Sequence, residues 1–183
     1  VDEVSREDQE CMILESRFLE KPAFAVEQGR NAAKHMEQDS RKILDIALGL
    51  IYSYSDEQAE RVQKLESKID RYEDELGTYL VKLNNKDLSE KDSHSVSIML
   101  HCIGDFERIS DHAVNIMESA RELYEKNLSF SVQAKTELQV LIATVGRIVD
   151  TAYEVFDKQD MNLTRDVEPL EEIVDELLSL IHI

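Results

Sequence analysis

Among the carboxylates that stand four residues apart in this chain, three Glu-x-x-x-Asp pairs bear on chemistry: Glu66 with Asp70, Glu107 with Asp111, and Glu171 with Asp175. On an α-helix, residues four apart share a face, so each pair presents two carboxylates side by side. Like charges at that spacing cost roughly 0.2–0.5 kcal/mol. A bound metal ion would offset that cost. The stretch around Glu107 extends the row, since Glu107, Asp111, Asn115 and Glu118 follow at intervals of four, four and three. Three carboxylates and an amide form an all-oxygen ligand row, which suits Mg²⁺, Mn²⁺, Ca²⁺ or iron better than zinc. For any single pair a solvated acidic surface is the plainer reading, because the chain holds 39 acids.

Duplication weighs against the plainer reading. Leu65-Glu66-Ser67-Lys68-Ile69-Asp70 recurs 105 residues later as Leu170-Glu171-Glu172-Ile173-Val174-Asp175. The same ungapped offset superposes Ile43 on Ile148, Asp45 on Asp150, Ala47 on Ala152 and Val62 on Val167. A repeated helical unit is the physical reading of one register kept over two helices. By that offset the counterparts of Glu107 and Asp111 fall near 212 and 216, beyond the last residue, 183. The second unit is therefore expected to lack its third helix. Pro169 stands where Lys64 does in the first unit, so the fifth helix should start late or kink.

The elements that must carry these pairs are helices. Pro22 opens a helical stretch to about Tyr52, Ser55 to Gln58 reads as a capping box for a second helix, and Asn84 and Asn85 end it. That second helix has apolar residues at Val62, Leu65, Ile69, Tyr72, Leu76, Leu80 and Leu83, a one-sided pattern. A third helix runs from about Ser89 to Lys126, a fourth to about Asp157, and a fifth begins near Glu168 and Pro169. No segment alternates with period two, so the fold class is all-α. Five glycines and two prolines in 183 residues suit long uninterrupted helices.

Composition narrows the partners. A net charge of −18 excludes a nucleic-acid surface, which needs clustered Lys and Arg, and broad docking on anionic lipid. Cys11 and Cys102 make no disulfide framework, which points to a reduced, intracellular setting. No apolar run reaches the eighteen or so residues that span a bilayer. The chain starts with Val and stops at Ile183 inside an apolar helical pattern, so a fragment of something larger is expected.

Other chemistries find little footing. A ferritin-like di-iron centre needs Glu-x-x-His twice, and none of His35, His94, His101, His112 and His182 has Glu three residues before it. G-x-S-x-G, the P-loop and G-x-G-x-x-G are absent. The expectation is a protein that is not an enzyme, with an acidic helical scaffold that binds no metal as the alternative.

The segment Asp105-Phe106-Glu107-Arg108-Ile109-Ser110-Asp111-His112-Ala113-Val114-Asn115-Ile116 resembles the D-L-E-R-I-G-D-H-A-x-N-I signature of the PhoU family, the phosphate-uptake regulators. Ser110 replaces the usual Gly and Phe106 the usual Leu. The pairs Glu66/Asp70 and Glu171/Asp175 are similar to that family's helix-two motif in each of its two repeats. The resemblance implies tandem three-helix bundles: residues 21–127 as the first repeat and 128–183 as an incomplete second. It implies clusters of transition metal (iron, zinc, nickel or manganese) on the acidic faces. Glu66, Asp70, Glu107 and Asp111 would serve the first cluster, with Asp105 and Asn115 as lesser ligands, and Glu171 and Asp175 the second.

Residues 15–27 resemble the linker that follows the membrane domain in bacterial sodium/phosphate cotransporter-like proteins, and 79–83 are similar to the end of helix two in that group. This implies that residues 1–20 are such a linker. The chain would then be a regulatory domain on the cytoplasmic side of the bacterial inner membrane, its partner the transmembrane transporter domain of the same chain. A free-standing phosphate-signalling regulator is the alternative. A groove left by the missing helix would favour a homodimer.

Overall fold

The computed structural model describes residues 14, 16–158 and 161–181. Most of the expected linker, with Cys11, lies outside the described residues, as does His182. The chain divides into two compact units, one ending at Tyr124 and the other beginning at Glu125. Among the described residues every regular element is helical.

The first unit holds α1 (Pro22–Leu50), α2 (Asp56–Asn84) and α3 (Glu90–Glu125), preceded by a 3₁₀ turn at Ser16–Glu20. Each boundary has a local cause. Pro22 fills the first position of α1, where its missing N–H costs nothing. Ser55 accepts a hydrogen bond from the Gln58 backbone N–H at 3.3 Å and caps α2. Ser89 does the same for α3 through the Asp92 N–H at 3.1 Å. The 3₁₀ turn is fastened by Leu19, which is buried, and by an edge-to-face contact of Phe18 with Phe24 at 5.0 Å.

Apolar residues at three- and four-residue intervals give each helix one buried stripe. Val62, Ile69, Leu76, Leu80 and Leu83 of α2 are fully enclosed, as are Met36 and Ile43 of α1 and Met117 of α3. Polar contacts between helices fix their direction. Arg30 donates to the Ser95 hydroxyl at 3.1 Å and Ser40 donates to the Phe106 carbonyl at 3.1 Å, so α1 and α3 run parallel. Tyr79 donates to the Ala25 carbonyl at 3.3 Å, while Lys68 pairs with Asp39 at 2.8 Å, so α2 runs antiparallel to α1. The result is an up-down-up bundle. Gly29 lets α1 and α2 approach closely, since a Cβ there would lie 3.0 Å from Leu80 Cδ2.

The second unit holds α4 (Val132–Lys158), a 3₁₀ turn at Met161–Asp166 and α5 (Val167–Ile181). Ser131 caps α4 through the Ala134 N–H at 3.1 Å. Asn127 makes the preceding turn with φ 52°, a left-handed conformation that Asn tolerates. The counterpart of Asp56 by the repeat is Met161, which lies in the 3₁₀ turn, so α5 does start late. Pro169 sits in its first turn, where proline is accepted. Among the described residues the two helices enclose few side chains. Tyr153 and Leu170 are buried, whereas Val140, Ile173 and Leu178 are exposed and Val132 is 85% exposed.

Truncating Leu80 to Ala removes a fully enclosed side chain that also seats Gly29. It is expected to cost about 2–5 kcal/mol of first-unit stability in urea unfolding. A loss below about 1 kcal/mol would mean that the α1–α2 contact is loose.

Candidate metal centre

The antiparallel pairing of α2 with α3 decides which acids meet. Ile103 of α3 lies beside Gly77 of α2, where an added Cβ would meet its Cδ1 at 3.7 Å. This register brings Asp111 opposite Glu66 and Asp70. A carboxylate oxygen from each of the three lies within 4.8 Å of the other two. Among the described residues this is the one such group of acids, Cys or His. Glu66 is half-buried, and Asp70 and Asp111 are exposed.

Glu107 joins from the turn of α3 before Asp111. Its carboxyl titrates above the ordinary range, first because burial disfavours the charged form and then through the charges of Asp111, Asp70 and Glu73. A side-chain hydrogen bond with Asp111 adds to that rise. Such a bond needs a proton on one of the two carboxyls. Asp70 is raised as well, by burial first and then by Asp111 and Asp74. The Ser67 hydroxyl donates to Glu66 Oε2 at 3.2 Å and holds that carboxylate in place.

The remaining predicted residues fall elsewhere. Asp105 is exposed on α3, and its charge bears on Cys102, whose thiol is pushed up by burial first and then by Asp105 and Glu37 of α1. Asn115 is exposed one turn beyond Asp111, and its carbonyl accepts from Ser119 at 2.9 Å. Glu118 and His112 are exposed. Glu171 and Asp175 are exposed on α5, and no third described acid joins them. Glu73 and Asp74, which the pair spacing alone did not single out, reach the cluster electrostatically. Their signal was present at three and four residues beyond Asp70.

Chemically this is a patch of like charge with oxygen donors and no counter-cation of its own in the cluster. The donors fit a hard or borderline metal ion. Coordinating oxygens at about 2.0–2.6 Å from one ion lie up to about 5 Å apart, so little contraction is needed.

The family comparison covers this region. Residues 33–120 match the PhoU domain. The PhoU match takes in most of α1, all of α2 and α3 as far as Ala120, and with them Glu66, Asp70, Glu107 and Asp111. Parallel α1 and α3 with α2 between them form a PhoU-like helical bundle. No curated protein and no solved structure matches the chain.

The raised carboxyls set a sign for pH dependence. Asp70 and Glu107 hold protons more tightly folded than unfolded, so between the ordinary and the raised value the folded state carries more protons. Stability from these groups therefore rises as pH falls through that window. The melting temperature of metal-free protein is expected to increase on acidification from pH 7 into the window. Glu107→Gln should raise the neutral-pH melting temperature and flatten that gain; a steeper gain would contradict the assignment.

Proposed function

We propose that this chain is a regulatory, non-catalytic domain of phosphate transport whose first bundle is fixed by a metal bound between α2 and α3. The PhoU match at 33–120 supports the regulatory role. The observation that carries the metal is the convergence of Glu66, Asp70 and Asp111 within 4.8 Å, with Glu107 hydrogen-bonded at its edge.

Glu66 and Asp70 would hold the ion from α2, and Asp111 and Glu107 from α3. The ion, whether iron, zinc, nickel or manganese, would supply the positive charge that the cluster lacks. The protein residues do the rest. Leu65 and Ile69 anchor α2 beside its acids, and Phe106 and Ser110 anchor α3 beside its own. Metal occupancy would then set how firmly the two helices are held together. A signal requires that docking differ between the bound and free states.

The resemblance of residues 15–27 and 79–83 to sodium/phosphate cotransporter-like proteins supports a transmembrane transporter domain of the same chain as the partner. Among the described residues no helix is long and apolar enough to cross a membrane. The exposed apolar residues of the second unit support a further contact, with a second copy as one occupant.

Metal content by plasma mass spectrometry, on protein purified without a metal-affinity column, tests the centre. At least one equivalent is expected in the parent chain. The Glu66→Ala, Glu107→Ala, Asp111→Ala variant should lose it. Adding the same metal at 100 times its Kd should stabilise the parent by about 2.7 kcal/mol and leave the variant unchanged. Metal-free parent protein that melts identically with and without added metal would reduce the acids to a solvated face.

A further inference from the structure

The flank of α2 away from Glu66 and Asp70 gathers four cations, with Glu57, Glu60 and Glu75 one turn from three of them. Arg61, Lys64, Lys68 and Arg71 follow at intervals of three, four and three, which places them on one stripe. At 1.5 Å per residue the stripe runs about 15 Å along the helix. A helical wheel at about 100° per residue puts the buried stripe of α2 between the two charged ones. The cations lie on its α1 flank and Glu66, Asp70 and Glu73 on its α3 flank.

These cations line a groove of about 930 Å³ between α1 and α2, with Lys42 contributed by α1. The groove takes five of the 21 Lys and Arg of a chain with 39 acids, and only Asp39 and Glu60 oppose them in its lining. Asp39 is already engaged, by Lys68 at 2.8 Å. Among the described residues Lys42, Arg61 and Lys64 have neither an ion pair nor a hydrogen bond. Glu57 and Glu60 stand one turn before Arg61 and Lys64 on the same helix, yet among the described residues neither closes an ion pair with them. The floor offers little apolar contact, since Leu65 and Tyr72 are 8% and 4% exposed.

We propose that this groove binds a soluble anion carrying several phosphate groups in a row, held by Lys42, Arg61, Lys64 and Arg71. Guanidinium forks match phosphate oxygens in pairs, and lysine ammoniums add point charge beside them. A run of cations along one helix suits a chain of linked phosphates better than a single compact anion. The occupant is soluble because the net charge of −18 repels an extended anionic membrane, whereas a small ligand inside the groove senses mainly the local cations. The assignment stands on the groove alone and is independent of whether the acidic face holds metal.

Titration calorimetry with tripolyphosphate on the full chain tests it. The protein is first stripped of metal and desalted, so that no cation on the acidic face can recruit the anion. One equivalent should bind, with an affinity that falls as salt rises. Arg61→Gln with Lys64→Gln should weaken it by about tenfold or more. Lys86→Gln with Lys91→Gln, which removes the same charge outside the groove, should leave it within about twofold. No binding, or equal affinity in the Arg61/Lys64 variant with an unchanged circular dichroism spectrum, overturns the proposal. So does binding to phosphatidylglycerol vesicles without binding to tripolyphosphate.

Discussion

The first unit depends on apolar packing strong enough to hold carboxylates against one another. Each acid of the α2–α3 cluster is next in sequence to a side chain on the buried stripe: Leu65 before Glu66, Ile69 before Asp70, Phe106 before Glu107 and Ser110 before Asp111. The positions of the acids are therefore set by the core and not by their mutual repulsion. Enclosing a Leu, Ile or Phe side chain contributes about 1.5–3 kcal/mol, several times the cost of one like-charge pair at helical spacing. The core wins, and burial first and the neighbouring charges second hold the Asp70 and Glu107 carboxyls above their ordinary range.

Helix α2 is the organising element because it has three working sides. Its buried stripe joins α1 and α3, one flank collects acids with α3, and the other collects cations with α1. The separation has an electrostatic consequence. Acids and cations within one helix would neutralise each other if interleaved at four-residue spacing. Glu66, Asp70 and Glu73 are held off the cationic flank and keep their own field, while Glu57, Glu60 and Glu75, one turn from Arg61, Lys64 and Arg71, temper the field of the cations. Lys68, set over the Tyr72 ring at 5.8 Å and paired with Asp39, ties the cationic flank to the core.

Much of this was legible in the residues. Ser55, Pro22 and Asn85 marked helix ends because each acts within one turn, and Pro169 pointed to a late start or a kink in α5, of which the late start is seen. The acid pairs were legible because four-residue spacing fixes a shared face. Which pairs would meet was not, since that depends on the register between helices. Asp105 shows the difference: it is two residues before Glu107, and two residues turn a helix by about 200°, so it leaves the face that carries the cluster. The cationic stripe was hidden for another reason. Its members are interspersed with acids along the chain, and only the wheel separates them.

The contrast between the two units has a consequence for how the molecule opens. The first encloses side chains from three helices, while among the described residues the second buries few apolar side chains between two. Protection of backbone amides against hydrogen exchange follows enclosed apolar contact. The α4–α5 amides would then exchange through shallow local openings, and those of α2 through far rarer ones. In the first unit each helix packs against the next along the chain, a short-range contact pattern of the kind that lets helical bundles assemble in microseconds to milliseconds. The bundle would thus close early, while the α4–α5 unit continued to sample open forms.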